Sequence, residues 1–123
     1  MTAEQTIRED VKGWALEDLQ RVVEEQLAQL HLLLYKFERG GAIDIYTVEV
    51  IEDITYKLDG VLYCKSNCHY CVDPLRDAYY LARDIAYIGN IVHMSDITTI
   101  GERVARLIYN YARENEELWE SDE

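Results

Sequence analysis

The chain of 123 residues is long enough for one hydrophobic core, and its 49% hydrophobic and 29% charged residues are typical of a folded domain. Its 24 acidic and 12 basic residues give a net charge of −12, which disfavours direct binding to nucleic acid or to an anionic membrane. The same charge favours a protein partner with a basic surface. We expect residues 1–123 to form a single domain.

The N-terminal sequence bears on the cellular compartment. Residues 1–10, MTAEQTIRED, lack the basic stretch followed by an apolar stretch that forms a signal peptide. Apolar runs such as LLLY at 32–35 are far shorter than the ~20 residues that cross a bilayer. We therefore expect a cytoplasmic protein without a membrane partner.

The first predicted helix spans residues 16–39. Its apolar residues recur with the spacing of one helical face. They are Val23, Leu27, Leu30, Leu34 and Phe37. Gly40 and Gly41 follow, as glycines commonly do past the end of a helix. Residues 4–14 allow a short additional N-terminal helix.

The second predicted helix begins at about Ile45, with Asp44 as its N-cap. β-branched residues are frequent between positions 42 and 63, which would suit a strand, but the apolar residues keep helical spacing. They are Val48, Ile51, Leu58 and Val61.

The third predicted helix begins at Pro74, and Ser95 is predicted to cap the fourth. The apolar side of the third helix comprises Leu81, Ile85, Ile88 and Val92, with Leu75 and Ala78 in line. That of the fourth comprises Ile97, Ile100, Val104, Leu107 and Tyr111. We expect an acidic, frayed tail from about residue 114. Four amphipathic helices with short connections predict an all-α, antiparallel four-helix bundle.

All three cysteines lie in LYCKSNCHYCVDP, at positions 62–74. The C-x3-C-x2-C pattern of Cys64, Cys68 and Cys71 resembles the cluster loop of the radical S-adenosylmethionine enzymes. Over these few residues, the resemblance implies that the thiolates hold a [4Fe–4S] cluster whose fourth iron binds the cofactor.

Three other interpretations of these cysteines remain open. A zinc site would recruit His69 beside the three thiolates, because zinc takes four tetrahedral ligands. A disulfide is the second alternative. The third is plain core packing, because positions 64, 68 and 71 share one face of a helix and free cysteine is commonly buried. We favour core packing, with no cofactor, and keep zinc as the alternative cofactor.

A set of carboxylates resembles part of another metal site. Helical NTP pyrophosphohydrolases of the MazG family hold Mg²⁺ with an E-x-x-E pair on one helix and an E-x-x-D pair on the next. Glu49 and Glu52 have the first spacing, and Asp84 lies in a setting similar to the second, although Leu81 replaces the expected glutamate. The resemblance implies Mg²⁺-dependent nucleotide hydrolysis, whereas solvated helix faces are the simpler interpretation.

The remaining acidic residues suggest a binding surface. Clusters on the first helix and after the fourth are predicted to contact a basic partner: Glu17, Asp18, Glu24, Glu25, Glu114, Glu116 and Glu117. In size and charge the chain resembles acidic inhibitors encoded by viruses, such as anti-CRISPR proteins. We therefore expect a non-enzymatic regulator or inhibitor that blocks the basic cleft of a nucleic-acid-binding protein, and association with a second copy is compatible with this.

Overall fold

The part of the chain that the structure describes folds as an all-α bundle of four helices, as the apolar spacing predicts. The computed structural model describes residues 11, 13–63 and 74–116. The helices are α1 (Leu16–Arg39), α2 (Ile45–Leu62), α3 (Pro74–Ile91) and α4 (Ser95–Tyr111). A single π-helical turn, Ala112–Glu116, continues α4.

The ends of the first two helices follow from local chemistry. Gly40 caps α1, and Gly41 has a φ of 77°, a left-handed conformation that glycine adopts without steric cost. The Asp44 carboxylate accepts a hydrogen bond of 2.8 Å from the Thr47 N–H, which confirms it as the α2 cap and lowers its pKa. Asp59-Gly60 lies inside α2 rather than ending it.

The start of α4 differs by one residue from the prediction. Met94 occupies the N-cap position, without a side-chain hydrogen bond, and Ser95 is the first helical residue. His93, with a φ of 60°, reverses the chain between α3 and α4. The Met94 N–H donates to the Gly89 carbonyl at 2.9 Å, so a backbone bond closes the end of α3 before α4 begins.

One hydrophobic core joins the four helices. Its largest fully buried side chains include Leu19, Leu30, Leu34, Ile51, Leu58, Ile85, Ile97, Leu107, Ile108 and Tyr111. The apolar stripes predicted for α1, α2 and α4 supply most of it, with Phe37 and Val61 half-buried. Burial of this surface is the main force that holds the helices together.

The face that α3 turns to the core agrees in part with the expected one. Leu75, Ala78 and Ile85 are buried as predicted, whereas Leu81, Ile88 and Val92 are half-buried. The other buried positions carry small residues, namely Ala82, Ala86 and Gly89. A Cβ added to Gly101 would lie 2.5 Å from the Ala86 nitrogen, and one added to Gly89 would lie 2.6 Å from the Thr98 nitrogen. Because α3 and α4 approach this closely, small residues occupy the contact and larger ones flank it.

Polar contacts fasten α1 to α2 in antiparallel order. The buried Gln20, near the start of α1, donates to the carbonyl oxygen of Leu62 at the end of α2 over 3.0 Å. Tyr63, directly after α2, donates its hydroxyl to the Glu24 carboxylate over 2.6 Å. The packing between these two helices is less extensive than between α3 and α4, and it leaves an open groove along the surface.

Candidate functional site: an acidic groove between α1 and α2

The groove between α1 and α2 has a volume of about 690 Å³. We call it the acidic groove, defined by Glu24, Leu27, Ala28 and His31 of α1 and by Glu52, Thr55, Tyr56 and Asp59 of α2. Leu27 and Thr55 are buried and form its floor, whereas Glu24, His31 and Glu52 are exposed. The groove therefore combines an apolar base with carboxylates on both walls.

The two walls of the acidic groove follow from the spacing of their residues along α1 and α2. Glu24, Ala28 and His31 follow one another at +4 and +3 along α1, and Glu52, Tyr56 and Asp59 do the same along α2. Residues with these spacings lie on one side of a helix. Because α1 and α2 are antiparallel, Glu24 comes near the end of α2 that carries Asp59 and Tyr63.

The carboxylates of the groove influence one another. The pKa of Asp59 is raised, first because the carboxyl is partly buried and second because the negative charge of Glu24 is close. The pKa of Tyr63 is raised to about 12, chiefly because its hydroxyl donates to the Glu24 carboxylate. Negative charge is thus crowded at the Glu24 end of the groove, where a bound cation would be stabilised.

The acidic residues predicted on α1 to contact a partner occupy three different environments. Glu24 lines the groove, whereas Glu17 and Glu25 are exposed elsewhere on the helix. Asp18 has a local role, because its carboxylate accepts the Ala15 N–H at 3.0 Å and pairs with Arg21 at 3.2 Å. Of the predicted set on α1, the structure thus places one residue in the groove.

The predicted C-terminal residues are described in part. Glu114 is exposed in the π-helical turn that follows α4, so regular backbone extends two residues past the predicted start of the frayed tail. The side chain of Glu116 and the whole of Glu117 lie outside the described residues. Their participation in binding stays a prediction.

The sequence did not predict the α2 wall of the acidic groove. Glu52 was predicted only as part of a Mg²⁺ site, and Tyr56 and Asp59 carried no predicted function. The available signal was the matching +4, +3 spacing on two helices predicted to be adjacent and antiparallel. Side-by-side comparison of the polar faces would have found it.

The carboxylates with MazG-like spacing are not gathered at one site. Glu52 lines the acidic groove, whereas Asp84 borders a separate shallow groove with Lys57, Asp77 and Tyr80. Within residues 16–63 and 74–116, no three histidine or carboxylate side chains converge closely enough to hold a metal ion. Cys64, Cys68, His69 and Cys71 lie outside the described residues, so the zinc, iron–sulfur, disulfide and core-packing interpretations stay predictions.

Comparison with known proteins adds no functional assignment. No protein-family profile, curated protein or solved structure matches the chain. None of the helices that the structure describes is long and apolar enough to span a bilayer.

Proposed function

We propose that the protein is a non-enzymatic protein-binding module, a regulator or inhibitor, whose acidic groove receives the basic side chains of a partner protein. The observation that carries this proposal is the presence of three carboxylates, Glu24, Glu52 and Asp59, around one groove formed by two helices. Such a partner would be met in the cytoplasm, the compartment that we expect for this chain.

Electrostatics favours a cationic occupant. The pKa of Asp59 is raised first by partial burial and second by the charge of Glu24, so an ionised carboxylate is costly there without a counter-charge. A lysine or arginine side chain placed between the carboxylates supplies that counter-charge and forms charge-assisted hydrogen bonds. The region around the groove strengthens the field, because residues 16–62 contain ten acidic and four basic residues.

The apolar part of the groove favours arginine in particular. Tyr56 is 80% exposed at the groove wall, and Leu27 and Ala28 lie beside it. A guanidinium group stacks on an aromatic ring and also forms paired hydrogen bonds to a carboxylate. Arginine-rich surfaces of this kind line the clefts of proteins that bind phosphate backbones. Occupation of such a cleft by this bundle would block it sterically.

Isothermal titration calorimetry with a hexa-arginine peptide tests the proposal. We expect the wild-type protein to bind the peptide, with an affinity that falls steeply between about 50 and 300 mM NaCl. The triple variant Glu24→Gln, Glu52→Gln, Asp59→Asn should lose at least about tenfold in affinity, because the charged partners of the peptide are gone.

A second triple variant distinguishes the effect of the groove carboxylates from the effect of the net charge of the protein. Asp77→Asn, Asp84→Asn and Asp96→Asn remove the same charge from exposed positions on α3 and α4. This variant should bind within about twofold of the wild type, since the groove is intact. Equal losses in both triple variants, or an affinity that does not respond to salt, would show that the groove is not the binding site.

A further inference from the structure

A second groove, on the opposite pair of helices, has different chemistry. It lies between α3 and α4, has a volume of about 470 Å³ and is lined by tyrosine and arginine side chains. We call it the Tyr/Arg groove, defined by Tyr79, Arg83, Tyr87, Asn90, Glu102, Arg106 and Tyr109. Ala86 and Ala105 form the apolar part of its lining.

The rings and guanidinium groups are held in fixed relative positions. Arg83 lies over the ring of Tyr79 at 5.7 Å, and Tyr79 contacts the ring of Tyr109 with centroids 5.9 Å apart. Arg113 lies over Tyr109 at 5.6 Å and donates to its hydroxyl over 3.1 Å. These contacts link α3 to α4 and to the turn after it through neighbouring rings and guanidinium groups.

The local charge of this groove is opposite to that of the whole molecule. Among the residues that the structure describes, Arg83 and Arg106 line it with one carboxylate, Glu102. Arg113 adjoins it through Tyr109 and adds a third guanidinium charge, which arginine carries at any ordinary pH. In a chain of net charge −12, this surface is suited to an anionic group rather than a basic one.

Tyrosine and arginine are the residue types most enriched at the energetic centres of protein interfaces. Tyr87 is 66% exposed at the edge of the groove, so most of its ring is available to a partner. We propose that the Tyr/Arg groove is a second docking site, which binds an acidic peptide segment of a partner protein. Apolar side chains of that segment lie on the tyrosine rings, and its carboxylates pair with Arg83 and Arg106.

Fluorescence anisotropy tests this site with a labelled peptide in which glutamate and aspartate alternate with leucine and tyrosine. The wild-type protein should bind it, and Arg83→Gln with Arg106→Gln should raise the dissociation constant at least about tenfold. Arg21→Gln with Arg39→Gln, which removes equal charge from α1, should change it by less than about twofold. Tyr87→Ala, at an exposed position that the fold does not need, should also weaken binding.

Four outcomes would overturn this proposal. They are absence of binding by the wild type, equal binding of a peptide in which glutamine and asparagine replace the acids, tighter binding of single-stranded DNA, and peptide-free self-association that the arginine variants abolish. The last would assign the groove to a second copy of the chain. None of these outcomes affects hexa-arginine binding to the acidic groove, so the two sites are tested separately.

Discussion

Asp59 shows how a residue in the acidic groove lowers the stability of the free protein. Its pKa is raised above 3.8 by partial burial and by the charge of Glu24. A raised carboxyl pKa means that the native state favours the protonated form, so this contribution to stability is complete below pH 3.8 and is lost as pH rises through the native pKa. At neutral pH, the ionised Asp59 therefore destabilises the fold.

Replacement of Asp59 by asparagine should consequently stabilise the protein at pH 7. The gain should shrink as pH falls towards 3.8, where the wild-type carboxyl becomes protonated. Urea unfolding at pH 7 and at pH 3.5 measures the difference, with Asp84→Asn, an exposed position outside the groove, as the control. A loss of stability at pH 7 would contradict the proposed repulsion between Asp59 and Glu24.

Tyr63 and Glu24 form the polar contact that closes one end of the acidic groove. Tyr63→Phe removes a hydrogen bond of 2.6 Å to a carboxylate at a position that is 40% exposed. We expect the free energy of unfolding to fall by about 0.5–1 kcal/mol, because solvent weakens a bond at such a site. The difference should be constant between about pH 7 and 10, where the carboxylate is ionised, and should disappear between pH 10 and about 12, as the wild-type hydroxyl ionises.

Urea unfolding of both proteins across this pH range tests the Tyr63 prediction, together with the ultraviolet absorbance of the phenolate. Tyr46→Phe, at an exposed tyrosine of α2, is the control and should leave stability unchanged. The absorbance that Tyr63→Phe removes should titrate near pH 12. If it titrated near pH 10 instead, the hydrogen bond to Glu24 would not exist in solution.

At the scale of elements, the close approach of α3 and α4 depends on glycine. Gly101→Ala would place a methyl group 2.5 Å from the Ala86 nitrogen, a backbone atom that moves only if the helices separate. We expect net destabilisation of about 2 kcal/mol, because the overpacking exceeds the helix propensity that alanine gains over glycine. Thermal and urea unfolding measure this effect.

Gly60 supplies the matched control within the same fold. It lies inside α2, and nothing lies within 4 Å of a Cβ added there. Gly60→Ala should therefore stabilise the protein by about 0.5–1 kcal/mol through helix propensity alone. Stabilisation by both substitutions would show that α3 and α4 are further apart than the structure places them.

The close contact between α3 and α4 shows where prediction from sequence succeeded and where it failed. The bounds of α1 and α2 followed from Gly40, Gly41 and Asp44, whose effects act through neighbouring backbone. The core-facing side of α3 was predicted only in part, because the small residues Ala82, Ala86 and Gly89 face a partner helix only when that helix comes close. The distance between two helices depends on both of them and cannot be derived from the apolar pattern of either helix alone.

The acidic groove was only partly predictable, because it too depends on how two helices pack. Glu24 was assigned from the local density of acidic residues, but Glu52 and Asp59 belong to a different helix. Their convergence depends on which faces of α1 and α2 meet. The sequence contains ten tyrosines and one phenylalanine, and nothing in it distinguishes Tyr56 and Tyr87 as exposed residues beside grooves.

At the scale of the whole molecule, charge is distributed unevenly. Residues 16–62 contain ten acidic and four basic residues, whereas residues 74–116 contain six acidic and five basic residues. The α1–α2 side thus carries most of the negative field of the described chain and would orient the protein towards a basic partner before contact.

Self-repulsion on the α1–α2 side should make thermal stability depend on salt. Between about 20 and 300 mM NaCl, we expect Tm to rise by about 3–5 °C, equivalent to roughly 1 kcal/mol, because screening relieves the repulsion. The triple variant Glu24→Gln, Glu52→Gln, Asp59→Asn should show a smaller rise. Differential scanning calorimetry measures both, and a Tm that falls with added salt would contradict the expected repulsion.

The central claim, that the acidic groove binds basic side chains, is tested most directly by nuclear magnetic resonance. In a titration of the ¹⁵N-labelled protein with hexa-arginine, we expect the amide shifts of residues around Glu24, His31, Glu52 and Asp59 to change most. The amides of α3 and α4 should change little. Shifts spread evenly over the acidic residues of all four helices, or concentrated on α3 and α4, would contradict the proposed site.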